Sequence, residues 1–284
     1  MSVKEKITVR SQKVRKDYTK YKMIFLGTLA LLVLLAAALA PYLAPCDPYE
    51  QDLGNALKPP SAAHLLGTDR YGRDMLSRVI VGAQTTIFSA LLLVVVITAV
   101  GSAVGVLCGY RGGKVDAFLM RTSDVFLAFP GMVFAIAVAS VLSGGVLNAV
   151  LALACISWPK YARIARGQVM AIKNAPYIAA AKLAGSGTGK ILLRHVAPNI
   201  AGPVIVTAVL DIGTMIMEIA GLSFLGLGAA PPMAEWGSMM SNGRSMLQTS
   251  PWVILAPGCA IFLTVMLFNL VGDTVRDMLD PRSR

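Results

Sequence analysis

The sequence predicts an all-α integral membrane protein of about six transmembrane helices, and three observations carry that expectation. Of 284 residues, 56% are hydrophobic and only 14% charged, whereas a soluble domain carries roughly a quarter charged residues. The apolar residues gather in unbroken runs such as LLLVVVITAV at 91–100. Lipid offers the backbone no partners, so a crossing segment is a helix of about 20 apolar residues or a strand of a closed barrel. Barrel strands alternate apolar and polar residues over about ten positions, and these runs do not. The third observation is where the net charge of +11 sits. Lys4, Lys6, Arg10, Lys13, Arg15, Lys16, Lys20 and Lys22 precede the first apolar run, and Lys160, Arg163, Arg166, Lys173, Lys182, Lys190 and Arg194 form a second group. That placement fits loops held at the cytoplasmic side by the positive-inside rule and argues against a nucleic-acid partner.

Taken in order, residues 1–22 form a basic cytoplasmic segment, too long for the start of a cleaved leader. The first span is 23–43, and with the polar stretch after it makes a unit at 23–84. Pro41 and Pro45 break the apolar pattern, and 47–84 holds Pro48, Pro59, Pro60 and several acids. Residues 85–275 read as one transmembrane domain. Its second span is 85–110, turned back by the loop 111–114. The third is 117–142, kinked at Pro130, and Ser143-Gly144-Gly145 leads tightly into a fourth at 146–158. The basic segment 159–199 is helix-like and too charged to cross. A fifth span at 200–227 is stopped by Pro231-Pro232, 233–250 is a re-entrant or external loop, the sixth span is 251–271, and 276–284 is a cytoplasmic tail. With the N-terminus inside, the loops 111–114 and 159–199 and the C-terminus all fall inside, and 47–84 falls outside.

Cys46, Cys108, Cys155 and Cys259 have no C-x-x-C spacing and read as small buried apolar residues. His64 and His195 are the only histidines, with no clustered acid–histidine spacing, so no permanent metal site is expected. His64 reads as part of a solvated turn.

The most informative stretch is 177–199, YIAAAKLAGSGTGKILLRHVAPN. Two short helices separated by Gly185-Ser186-Gly187 make an elbow, and Ala179, Ala180 and Ala181 give it a small, smooth surface that another protein can approach. Within it, Ala184, Gly189 and Lys190 imitate a phosphate-binding loop, but Ile191 replaces the Ser or Thr that would hold Mg²⁺, and a helix rather than a strand precedes it. ATP binding by this chain is therefore not expected. The stretch resembles the permeases of binding-protein-dependent ABC importers, whose signature is Glu-Ala-Ala, a glycine four residues after the second alanine, and a His-x-x-Pro-Asn end. After Tyr177, the match falls on Ala180, Ala181, Gly185, His195, Pro198 and Asn199, and departs at the acid, which is Ala179. A second resemblance, to the dipeptide, oligopeptide and nickel branch, lies in Gly67-Thr68-Asp69, Gly72-Arg73-Asp74, Arg78 and Gly82; Gln84 stands where that branch has Arg. Read on a helix, Asp69, Arg73, Asp74 and Arg78 make a charged face that pairs along the helix or meets a partner. Residues 109–130 and 222–237 resemble the same branch.

What the resemblance implies is a type I ABC-importer permease (MetI-like) fold in a bacterial inner membrane, multi-pass with both termini cytoplasmic. It implies a loop at 159–199 that docks an ATPase, and alternating access driven by that ATPase. It implies these partners: a second, paralogous permease, two ABC ATPase subunits that hold the ATP and Mg²⁺, and an extracytoplasmic solute-binding protein. This chain itself binds no cofactor and performs no bond chemistry. A membrane enzyme would need acid, serine or cysteine sets that two histidines do not supply, and an ATP-independent channel would need no ATPase.

Inside the apolar regions, ionisable residues are costly and point to function. Asp211 and Glu218 are seven apart, hence on one helix face, with Met215 between them. They either line the translocation path and meet a cationic substrate, or form a structural pair with neighbouring helices. They suit a divalent cation or its chelate, and equally a peptide's amino group. The runs 182–187, 210–213 and 234–237 resemble the nickel-type permeases more than the dipeptide ones, and the missing acid at Ala179 points the same way, so the resemblance places nickel slightly ahead of peptide.

Overall fold

A computed structural model describes residues 3–279, with side chains from residue 19 onward. The basic side chains of Lys4 through Lys16 and the end of the tail at 280–284 lie outside the described residues.

The chain opens with α1 (Val3–Ala38) and the short α2 (Ala40–Leu43). An irregular segment leads to α3 (Met75–Arg111), which turns at Gly112 into α4 (Gly113–Ala128) and then α5 (Gly131–Val141). Next come α6 (Val146–Ile172), α7 (Pro176–Leu183) and α8 (Thr188–Ile191). A π-turn at Leu192–Val196 joins α8 to α9 (Ala197–Phe224). The chain closes with α10 (Trp236–Gly243) and α11 (Trp252–Leu279).

Four stretches are long and apolar enough to cross a membrane, 19–38, 75–111, 188–224 and 252–279, and α4 with α5 makes a fifth if the bent pair is one span. The expected fourth span, 146–158, is the apolar first half of α6. Thirteen helical residues reach only about 20 Å, short of a hydrocarbon core of about 30 Å. The helix continues through Pro159 into a half carrying Lys160, Arg163 and Arg166, so the boundary expected at 159 falls inside a helix. The kink expected at Pro130 is a break, with α4 and α5 meeting at 93°. The second span begins ten residues before the expected 85, because Asp74 caps α3 through its side chain. The fifth apolar region ends at Phe224, before the Pro231-Pro232 stop.

Lipid tails are as apolar as the side chains they surround, so spans associate by close packing rather than by hydrophobic burial. The α3–α6 contact shows how. Gly101, Gly105 and Gly109 recur every four residues along one face of α3. A Cβ on Gly101 would lie 2.4 Å from the Trp158 carbonyl oxygen, and one on Gly105 2.3 Å from that of Ala162. At Gly109 it would meet the Val169 Cβ at 2.8 Å. Ala162 and Ala165 on α6 are fully buried opposite them. Small residues also set the approach of α10 to α9, where a Cβ on Gly237 would lie 2.3 Å from the Ala220 carbonyl oxygen. Leu31, Leu32 and Leu35 of α1 stay exposed, as a lipid-facing surface should. Of the cysteines only Cys108 is buried; Cys155 and Cys259 are exposed, contrary to expectation, because α6 and α11 turn those positions outward, and Cys46 is exposed in the irregular segment after α2.

Replacing Gly105 by Leu is expected to push α6 away and to cost about 1–3 kcal/mol or more, as overpacking does. Gly167→Ala, where nothing lies within 4 Å of the added carbon, is expected to be neutral or stabilising. Thermal unfolding of the two purified variants in detergent compares them, and equal melting temperatures would refute the packing argument.

Candidate functional site

The Gly67-to-Arg78 motif forms a buried knot, and not the charged helical face expected of Asp69, Arg73, Asp74 and Arg78. Only Met75 onward is helical, so Asp69, Arg73 and Asp74 belong to the loop that precedes α3. Gly67 and Gly72 take positive φ, +74° and +73°, and a Cβ on Gly72 would lie 1.7 Å from the Asp52 carbonyl oxygen. Asp69 is the centre of the knot. Its Oδ1 accepts from the Tyr71 and Arg73 amides at 2.8 and 3.1 Å. Its Oδ2 meets the Arg73 guanidinium at 2.6 and 2.7 Å and the Arg78 Nε at 3.7 Å. Arg78 donates onward to the carbonyls of Pro48 and Pro232 at 2.8 and 3.4 Å. Asp74 Oδ2 accepts from the Ser77 amide and hydroxyl, and Asp74 Oδ1 lies 3.0 Å from His64 Nδ1. His64 therefore belongs to the knot, not to a solvated turn. Thr68 is fully buried; its carbonyl accepts from Trp252 Nε1 at 3.1 Å.

Beside the knot, Glu235 caps α10 by accepting from the Gly237 and Ser238 amides at 2.9 and 2.8 Å, and Thr86 donates to it. Burial pushes its carboxyl above the usual carboxylate range, against the pull of those amides. Trp236 donates to the Val79 carbonyl and covers Gly82. Nothing in the order of residues joins 235–236 to 79–86, and sequence reading missed this contact.

At the opposite end lies the elbow. Pro176 opens α7, Gly185 turns the chain at φ +76°, and α8 runs through the π-turn into α9. Ile178, Ile191 and Val196 fold inward against Val169 of α6. Tyr177, Ala180, Pro198 and Asn199 are exposed, Gly185 is exposed, and Ala181 and His195 are half-buried. The largest apolar projections are residues that the alanine-centred reading missed: Leu183 is 90% exposed and Leu193 78%. Leu183 follows the exposed alanines of α7, and Leu193 stands in the π-turn beside Arg194. Arg166 clamps α6 to α4 through a two-point bond to Asp116 at 2.5 and 2.7 Å, and Arg163 meets Asp124.

The structure separates the two acids of α9. Asp211 is buried and accepts from Lys160 Nζ at 2.6 and 2.9 Å and from the Tyr161 hydroxyl at 2.9 Å. It is a structural tie between α9 and α6. Glu218, two turns on, is half-buried. Met215 is buried in the core. Alongside, Met217, Gly221, Phe224, Met240, Phe262 and Asn269 line an open, largely apolar cavity of about 680 Å³ between α9, α10 and α11. No group of three or more His, Cys, Asp or Glu side chains that could hold a metal ion occurs among the described residues.

An all-helical bundle with one knotted end and one elbow end defines a polytopic membrane protein, and its fold is that of the type I ABC-importer permeases. It aligns with a chain of the MetNI methionine ABC transporter in an inward-facing conformation, at a TM-score of 0.59 and 17% identity, over 72% of this chain and 98% of that one. Residues 101–284 match the family described as binding-protein-dependent transport system inner membrane component, and residues 19–60 match the N-terminal transmembrane domain of oligopeptide transport permease C. The chain belongs to this family: it is an inner-membrane permease subunit of an ABC importer, and not an enzyme. It is 44% identical over 257 residues to a probable D,D-dipeptide transport system permease protein of Escherichia coli K12, covering 90% of this chain and 86% of that protein. It is 38% identical over 259 residues to the nickel transport system permease protein of the same strain, covering 91% and 92%.

Asp69→Asn is expected to destabilise the protein by about 3–5 kcal/mol, because it leaves two buried guanidinium groups without their carboxylate. Protease resistance of residues 44–74 in detergent checks this; unchanged resistance would show that the knot does not depend on Asp69.

Proposed function

We propose that this chain forms part of the path by which a di- or oligopeptide, delivered by an extracytoplasmic solute-binding protein, is imported at the expense of ATP. The observation that carries the peptide reading over the nickel reading is the state of Asp211. The acid pair that suits a divalent cation in the sequence is not a free pair, since Lys160 and Tyr161 already occupy Asp211. That leaves Glu218 as the one acid of the pair without a hydrogen-bonded partner of its own, matched to a single ammonium group. The D,D-dipeptide relative and the oligopeptide N-terminal domain support the same substrate class. Nickel import stands as the second reading, favoured by the nickel permease relative.

In this reading both termini, the 111–114 turn and the elbow at 176–199 face the cytoplasm, supported by their Lys and Arg residues. The knot and α10 face outward. Leu183 and Leu193 seat the elbow on an ABC ATPase, with Ala180 and Ala181 allowing close approach. ATP and Mg²⁺ are held by two such partner chains. A second, paralogous permease completes the path. The elbow passes ATPase closure to α9 directly, because α8, the π-turn and α9 are one continuous run of backbone.

Cells lacking this chain, complemented from a plasmid, are expected to recover uptake of a labelled dipeptide and not of labelled nickel; the reverse outcome establishes the nickel reading. In the same cells Leu183→Asp is expected to abolish uptake together with co-purification of the ATPase. Glu218→Gln is expected to lower uptake several-fold while co-purification persists. Full uptake in either variant would remove that residue from its assigned role.

A further inference from the structure

We propose that Arg70 and Arg244 form a receiving pocket for the carboxylate of the transported molecule at the outer mouth of the chain. This rests on the peptide-import reading and its orientation. The pocket is open, with a volume of about 430 Å³, and lies where the end of α9 meets α10. Arg70, Phe224, Ser241, Asn242, Arg244 and Ser245 line it.

Its charge is uncompensated for a traceable reason. The two acids beside Arg70 in sequence are spent elsewhere: Asp69 on Arg73 and Arg78, and Asp74 on Ser77 and His64. Among the described residues neither Arg70 nor Arg244 has a carboxylate within salt-bridge distance. Arg70 is nevertheless held in place. Its guanidinium sits 4.7 Å over the Tyr71 ring and donates to Asn242 Oδ1 at 3.2 Å. A stacked guanidinium keeps its in-plane donors free for a two-point bond to a carboxylate. Ser241 and Ser245 add hydroxyl donors.

An ordinary reading covers Arg244 alone: a cation at the end of α10 complements the helix dipole. It does not explain why a second arginine, from a segment 172 residues away, is bound to the same helix end. The site has the concavity and size of a small-ligand pocket, and its exposure to solvent keeps it weak. A way-station must bind and then release. Phe224 lines both this pocket and the apolar cavity next to it. A carboxylate held here therefore sits at the head of the apolar cavity that Met217 lines further along α9.

The test uses complemented cells and saturating labelled dipeptide, so that the carrier protein is fully loaded. The double variant Arg70→Gln, Arg244→Gln is expected to lower maximal uptake about tenfold, the scale of one charge-assisted hydrogen bond. The double variant with Lys at both positions is expected to keep most uptake. Retention of the loaded carrier by the purified transporter is expected to stay within twofold. Uptake unchanged in the Gln variant overturns the pocket. So does a parallel loss of carrier retention, which would assign the arginines to an acidic group of the carrier. If the double Gln variant fails to reach the membrane, Arg244→Gln alone, at an exposed position, is read by the same criteria. Rescue of nickel but not dipeptide uptake overturns the peptide reading and the pocket together; dipeptide rescue that the Gln variant leaves intact overturns the pocket alone.

Discussion

The approach of α3 to α6 is the constraint on which the rest of the molecule hangs. In lipid the two helices gain little by hiding apolar surface from each other, so they need near contact between backbones. Gly101, Gly105 and Gly109 supply it, against the carbonyls of Trp158 and Ala162 and the side chain of Val169. The knot and the elbow are attached to opposite ends of this pair. At one end α3 begins at the Asp74 cap and carries the knot. At the other, α6 ends at Ile172 and the chain passes directly into the elbow at Pro176.

Buried charge is handled differently at the two levels of the molecule. In the knot, Asp69 has two amides and two guanidinium groups around it, so a network that costs desolvation is satisfied at nearly every donor. The result is a long irregular segment that holds one shape without regular secondary structure, and a seat for Trp252 of the last span. Within the spans, Asp211 on α9 is tied to Lys160 and Tyr161 of α6. An importer that alternates between two states needs rigid bodies with few seams between them. A rigid cap, a rigid α3–α6 pair and an elbow continuous with α9 fit that need.

Much of the fold was legible in the order of residues. Long apolar runs marked the spans, the basic groups marked one side, and Gly185-Ser186-Gly187 marked the elbow. The limits of legibility have physical reasons. A hydrophobic run ends where charge begins, but a helix ends where its hydrogen bonds end, so α6 ran on through Lys160 and Arg166 unnoticed. The charged residues at 69–78 have spacing that a helix would also use, and only two positive-φ glycines and the contacts with Asp52 and Lys58 make them a loop.

The sequence by itself determined the class of solvent, the family and the two chemically distinct ends, because hydropathy, charge bias and short motifs are local properties of the chain. The tertiary structure alone decided the fate of each ionisable group. Asp211 and Glu218 look alike in sequence, yet one is spent on Lys160 and Tyr161 and the other is not. Asp69 and Asp74 are used up inside the knot, which leaves Arg70 uncompensated beside Arg244. For Asp211 and Arg70 the deciding partners lie 51 and 172 residues away in sequence, and local order carries no record of them.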